Sequence, residues 1–224
     1  MSRDLVAIYD YPNAKGQPRI RKRRWDPKDF DMQSWVVCGD GKGRWHRGIK
    51  DHRVAWAERA LYRLPEVLNA LRFGEPVYLC EGEKDADTIT AELASSFTPG
   101  VGTSHWQGAS DFHPRQAAWL ARPSTSQLYV VCDVDAPGAW SGWLRYTELI
   151  NAGVEPGRVA VIAPRRPHHD AHDAVSSVGS IGNVFRSVGL GSLESAARAY
   201  RTERVSAGSD WMRFPAPWVK GRST

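Results

Sequence analysis

Carboxylates in three groups are the residues of this sequence best placed to do chemistry. Glu81 follows the apolar run Val77-Tyr78-Leu79-Cys80 and leads into Gly82, Glu83, Lys84 and Asp85. Asp133 and Asp135 follow the run Leu128 to Cys132, and Asp170 and Asp173 lie beyond the run Val159 to Ala163. Each run has the length and composition of a short buried strand, and the segments between them read as helices. Residues just past the carboxyl ends of parallel strands share one edge of the sheet, where ligands bind. Carboxylates some fifty residues apart in sequence are therefore expected to meet at one centre.

Clustered carboxylates repel one another, and without a cation their pKa values rise. Mg²⁺, with Mn²⁺ as an alternative, relieves that repulsion; Mg²⁺ takes one or two carboxylates, keeps waters and binds substrate phosphates. Two such ions stabilise both the attacking and the leaving oxygen of a phosphoryl displacement. Gly82 leaves room for a ligand to approach the backbone. Lys84 suits either a phosphate contact or a helix surface, and Asp85 is a further carboxylate beside the first group. His168, His169 and His172 lie among the last aspartates. They read either as transition-metal ligands or as solvated loop residues that touch phosphate when protonated.

The elements that must position these groups show in the charge layout. The net charge of +5 divides into +7 over residues 1–73, −5 over 74–190 and +3 over 191–224. A basic front and tail around an acidic middle suit a polyanion held beside a cation-binding centre. The front holds Arg19, Arg21, Lys22, Arg23 and Arg24 in one run, with Lys28 close behind. Such a run binds phosphates without reading bases. Trp25, Trp35 and Trp45 lie near it and suit either base stacking or the core.

Residues 1–73 read as a small, mainly antiparallel α+β segment. LVAIYDY and RIRKRRW flank the turn PNAKGQ, and SWVVC and RWHRGI flank GDGKG. From about Ala55, Leu61, Leu64, Leu68 and Leu71 follow a helical period, which Pro65 is expected to break or kink. Residues 74–190 alternate short strands with helices, which implies a parallel sheet covered on both faces and an α/β class. Residues 191–224 read as one helix and an aromatic, basic tail with Trp211, Phe214 and Trp218. Cys38, Cys80 and Cys132 lack metal-ligand spacing, so no zinc site is expected. No apolar run approaches the roughly 20 residues of a membrane helix, and the expected location is the cytoplasm.

These residues resemble the TOPRIM family, the catalytic module of bacterial-type primases, topoisomerases and certain nucleases. VYLCEGEKDADT is similar to its strand–Glu-Gly–helix motif, VVCDVDAPG to its Asp-x-Asp motif, and HHDAHDAV to the later Asp-x-x-Asp segment of phage and plasmid primase-like members. Where that family usually has a lysine before the first of the later aspartates, His169 stands. Upstream, RWDPKDF and LYRLPE resemble the segment that precedes TOPRIM in those proteins. The resemblance covers roughly residues 5–175. It implies Glu81 as acid/base or metal-adjacent carboxylate, Asp133 and Asp135 as main metal ligands, and Asp170 and Asp173 at a second metal or phosphate position. Lys28 and Arg24, with Arg21 and Arg23, are the implied polyanion contacts.

The resemblance implies a DNA primase or primase-like nucleotidyltransferase, acting with Mg²⁺ and nucleoside triphosphates on single-stranded DNA. A TOPRIM nuclease with the same carboxylates, and a non-catalytic nucleic-acid-binding replication accessory protein, are the alternatives. No phosphate-loop motif of a helicase motor and no zinc-ribbon cysteines occur in the sequence. A replicative helicase or a separate zinc-binding protein is therefore the expected partner.

Overall fold

A computed structural model describes residues 3–49, 60–106 and 111–206 of the 224. β1 (Asp4–Pro12), β2 (Pro18–Asp26), β3 (Asp29–Val37) and β4 (Gly43–Arg47) form an antiparallel sheet in sequence order. The first hairpin closes as its turn residues dictate, because the Asn13 side-chain oxygen accepts from the backbone N–H groups of Lys15 and Gln17. Alternation along the strands gives this sheet two unlike faces. Tyr9, Tyr11 and Ile20 are buried on one face, in register with Lys22, Met32 and Ser34.

α1 (Leu64–Phe73) buries Leu64, Val67, Ala70 and Leu71. Pro65 neither breaks nor kinks it. The helix begins one residue earlier, so the proline occupies the first turn, where a missing N–H costs no hydrogen bond. The expected start near Ala55 lies outside the described residues. Gly74, with φ 73°, ends the helix in the left-handed conformation that glycine adopts without strain.

The second sheet carries β5 (Val77–Leu79), β6 (Val101–Thr103), β7 (Leu128–Val131), β8 (Val159–Pro164) and β9 (Phe185–Ser187), in the order β6-β5-β7-β8-β9. The first four are parallel and β9 runs antiparallel to β8. The helices between them are α2 (Glu83–Ser95), α3 (Pro114–Leu120), α4 (Ala136–Asn151), α5 (Ala171–Val178) and α6 (Ile181–Val184), followed by α7 (Leu190–Ser206). The class is thus α/β with an antiparallel segment in front, as expected. β9 and α6 were not: with only Phe185 and Val184 buried, they are too short to show a period.

Strands β5, β7 and β8 are buried almost throughout, which is why they read as continuous apolar runs. Cys80 and Cys132, just past β5 and β7, are buried free thiols, as their apolar contexts suggested. α4 adds Trp140, Trp143 and Leu149 to the core, and α7 packs Leu193 and Ala197 against it. Trp211, Phe214 and Trp218 lie outside the described residues. Among those described, no helix is long and apolar enough to cross a membrane.

α2 approaches β6 so closely that a Cβ on Gly102 would sit 2.3 Å from the Ala86 carbonyl oxygen. Gly102→Ala should therefore destabilise the fold by about 1–3 kcal/mol, as overpacking does. Gly157→Ala, at a position with nothing within 4 Å, should change stability by less than about 0.5 kcal/mol. Urea denaturation of both variants checks the contrast, and equal effects would refute it.

Candidate active site

The three carboxylate groups sit past the ends of β5, β7 and β8. Gly82 caps α2 in extended backbone, so it is not needed for an unusual φ; a Cβ there would lie 3.3 Å from an Asp85 carboxylate oxygen. Asp135 caps α4 and accepts the Gly138 N–H at 2.6 Å. Gly138 is required for space, because a Cβ on it would come 2.5 Å from the Asp133 carbonyl oxygen. Asp170 caps α5 and accepts the Asp173 N–H at 2.7 Å. Two backbone links hold the loops together: Val134 N–H donates to the His169 carbonyl at 3.0 Å, and His172 N–H donates to Asp85 at 3.0 Å.

Glu81, Asp85, Asp133 and Asp170 thereby line one cleft of about 340 Å³, with Gly82, Glu83 and Lys84. The structure does not bring all the expected carboxylates there. Asp135 lines an adjoining pocket with Asp133 and Arg186, and Asp173 is exposed on the first turn of α5. The His172 ring is 2.8 Å from the Thr88 hydroxyl, while His169 is exposed. Among the described residues no group of three His, Cys, Asp or Glu side chains is close enough to enclose a metal ion.

The other side of the cleft is lined by Tyr9, Lys22, Arg24 and Phe30 of the antiparallel sheet, and by Lys28 from the turn between β2 and β3. Lys22 reaches both oxygens of Glu83, at 2.8 and 3.1 Å, and Tyr11 donates its hydroxyl to the same carboxylate. Glu83 is 4% exposed, so this cluster pins the sheet to the first turn of α2. Arg21 and Arg23 lie on the other face. Arg21 forms a bidentate pair with Asp10 and stacks on Trp45, and Arg23 pairs likewise with Asp31 and stacks on Trp25. Trp35 packs edge-on against Trp45 on that outer face.

The four expected basic contacts thus divide into Arg24 and Lys28 at the cleft, and Arg21 and Arg23 away from it. Lys22, read with the rest of the run as a phosphate contact, is instead turned inward and paired with Glu83. The signal for it was Ile20, the apolar residue in the basic run: strand alternation puts Lys22 and Arg24 on its side. Arg145, a fully buried arginine on α4, was also missed. A charged residue within a helical period carries no sequence mark of burial.

The electrostatics fit carboxylates that are partly buried and close to one another. Burial raises the pKa of Asp133 to about 8, with Glu81 and Asp85 adding to the shift. Glu81 is raised by burial and by Asp135, against Arg145. Asp85 is raised by burial and by Asp170, against the His172 N–H. Glu81 Oε2 is buried with no hydrogen-bond partner. Hard oxygen donors destabilised by one another suit a divalent cation, provided that it binds through one or two carboxylates and completes its shell with water or phosphate.

No protein-family model matches the chain, and no curated protein is similar to it in sequence. Solved structures are similar in fold. A DNA primase domain from Pseudomonas aeruginosa aligns with a TM-score of 0.55 and 16% identity, over 92% of this chain and 56% of that one. A DnaG primase catalytic domain bound to single-stranded DNA aligns at 0.53 and 13%, over 91% and 57%. The primase fragment of the bacteriophage T7 primase-helicase protein aligns at 0.50 and 17%, over 80% and 63%. The chain has the fold of these primase catalytic cores, and it spans about three-fifths of their length.

An unfolded aspartate ionises near pH 3.9, whereas Asp133 in the fold ionises near 8. Its contribution to stability is full below about pH 4 and is lost as pH rises toward 8. Asp133→Asn should therefore be more stable than the wild type at pH 9, by about 1–3 kcal/mol after allowing for partial exposure, with the advantage gone at pH 4. Guanidinium denaturation at the two pH values, without metal, measures this. An equal difference at both would show that the carboxyl is not destabilised by the fold.

Proposed function

We propose that this chain is a primase-type nucleotidyltransferase that uses Mg²⁺ to join nucleotides on a single-stranded DNA template. The observation that carries the reading is the opposition, across one cleft, of Glu81, Asp85, Asp133 and Asp170 to Lys22, Arg24 and Lys28. The fold supports it, as does the binding of single-stranded DNA by a primase core of that fold.

Glu81 and Asp133 are the carboxylates that would hold the ion, with Asp170 and Asp85 beside them, while Asp135 lies in the adjoining pocket and Asp173 is exposed on α5. The ion supplies charge stabilisation to the phosphoryl oxygens as they become more negative. Where Glu81 does not ligate the ion itself, it suits the acceptance of a proton from an attacking hydroxyl. Arg24 and Lys28 take the phosphates of template or nucleotide. Lys22 is committed to Glu83 and keeps the basic wall facing the carboxylates.

Primer synthesis on single-stranded DNA, with labelled nucleotides and Mg²⁺, tests the reading. Template-dependent products should appear with the wild type and fall at least about 100-fold in Asp133→Ala and Glu81→Ala, consistent with loss of charge stabilisation or proton transfer. Mg²⁺-dependent strand cleavage lost in the same variants, without synthesis, would establish the nuclease instead. Binding without either reaction would leave an accessory protein.

The division of the basic residues makes its own prediction. Replacing both Arg24 and Lys28 by Ala should weaken single-strand binding and lower its salt slope by about 1.4, the value for two lost phosphate contacts. Replacing both Arg21 and Arg23 by Ala should leave the slope unchanged. A fluorescence titration across salt concentrations distinguishes them, and a reversed order would place the nucleic acid on the outer face of the sheet.

A further inference from the structure

Arg145 is 0% exposed, the most enclosed charge among the described residues. A buried guanidinium is strongly unfavourable unless it is paired and hydrogen-bonded. Its Nε donates to the Ser141 carbonyl at 3.2 Å and its Nη1 to the Leu79 carbonyl at 2.9 Å. Nη2 has no hydrogen-bond partner and lies 3.9 Å from Glu81 Oε2, itself buried and without one. Leu79 ends β5, and Glu81 is two residues further on. Arg145 projects from α4, the helix that begins at Asp135. One side chain thus grips the end of the strand that bears Glu81 from the helix that follows Asp133.

We infer that Arg145 is a positioning residue that holds Glu81 Oε2 from inside the protein and leaves Oε1 to serve the cleft. The inference rests on the reading of Glu81 as a functional carboxylate. The shape of the side chain supports it. A guanidinium presents donors in a rigid fork, so it binds two carbonyls and faces a carboxylate at once, which a lysine ammonium cannot reproduce. A purely structural arginine would need only the two carbonyl contacts, and its loss would be felt equally with or without the Glu81 charge.

A double-mutant cycle separates these roles: Arg145→Met, Glu81→Gln and the pair, each measured in two ways. The first is urea denaturation without metal or nucleotide. If Arg145 holds Glu81, R145M lowers the folding equilibrium constant, and adding E81Q returns about tenfold of the loss, because the uncompensated charge is gone. The second is Mn²⁺ binding followed by electron paramagnetic resonance. R145M should weaken it about tenfold, as loss of an outer partner of a metal ligand does, and should have no further effect in the E81Q background. Additive effects in the denaturation cycle would overturn the inference and leave Arg145 as a backbone clamp. If the wild type binds no Mn²⁺, the metal reading of the site fails, while the denaturation cycle still decides the coupling. Should R145M fail to fold, Arg145→Gln removes the charge, keeps a donor for the Leu79 carbonyl, and decides the same question.

Discussion

Burial of carboxylates at the ends of parallel strands, with their mutual repulsion as a smaller addition, is the constraint that the rest of the structure answers. Two unit charges 4 Å apart repel by about 4 kcal/mol at the effective dielectric of a protein surface, and by more where water is excluded. The sheet imposes this crowding, because β5, β7 and β8 run the same way and deliver Glu81, Asp133 and Asp170 to one edge. Three features oppose it. Asp170 spends part of its charge capping α5, where the helix dipole favours an anion. Asp85 accepts a backbone N–H from the next loop. Arg145 lies beneath, opposing the shifts of both Glu81 and Asp133.

The antiparallel sheet supplies positive charge to the other side of the cleft, and its pleat decides which charge arrives. On β2, Arg21 and Arg23 are neutralised by aspartates of β1 and β3 on the outer face, while Lys22 and Arg24 turn inward. The cluster of Glu83, Lys22 and Tyr11 then fixes the separation of the two walls. Its value is geometric, since a buried ion pair adds little stability relative to an apolar contact of the same shape. The neighbouring apolar packing is already present, with Tyr9 and Tyr11 both against Tyr62.

Much of this was legible in the sequence where one physical pattern dominated. The parallel strands announce themselves as apolar runs because both faces are covered, and their acidic ends follow from direction alone. The convergence of Glu81 with Asp133 and Asp170 on one cleft was legible for the same reason. The different lot of Asp135 was not: a strand-end Asp-x-Asp places its second carboxylate at the N-cap of the next helix, where it bonds Gly138 and turns toward another pocket. Pro65 shows a similar ambiguity, since a proline that would disrupt a helix interior also starts a helix, and only the boundary decides. The pairing of Lys22 with Glu83 was hidden by composition: in a run of five cations, side is set by alternation about Ile20 and not by charge.

Charge in the cleft links the two ligands of the proposed function. The lining carries Lys22, Arg24, Lys28 and Lys84 against Glu81, Glu83, Asp85, Asp133 and Asp170. With its pKa raised to about 8, Asp133 keeps its proton near neutrality, which lowers the negative charge facing the cations. A divalent cation that displaced the Asp133 proton would make the lining one unit more positive, and so more attractive to a phosphate. A phosphate bound first against Arg24 and Lys28 would in turn favour the cation. By linkage, each raises the affinity of the other by the same factor. Under the proposed function, the arrangement would favour joint occupancy by metal and polyanion over either alone, the condition that phosphoryl transfer requires.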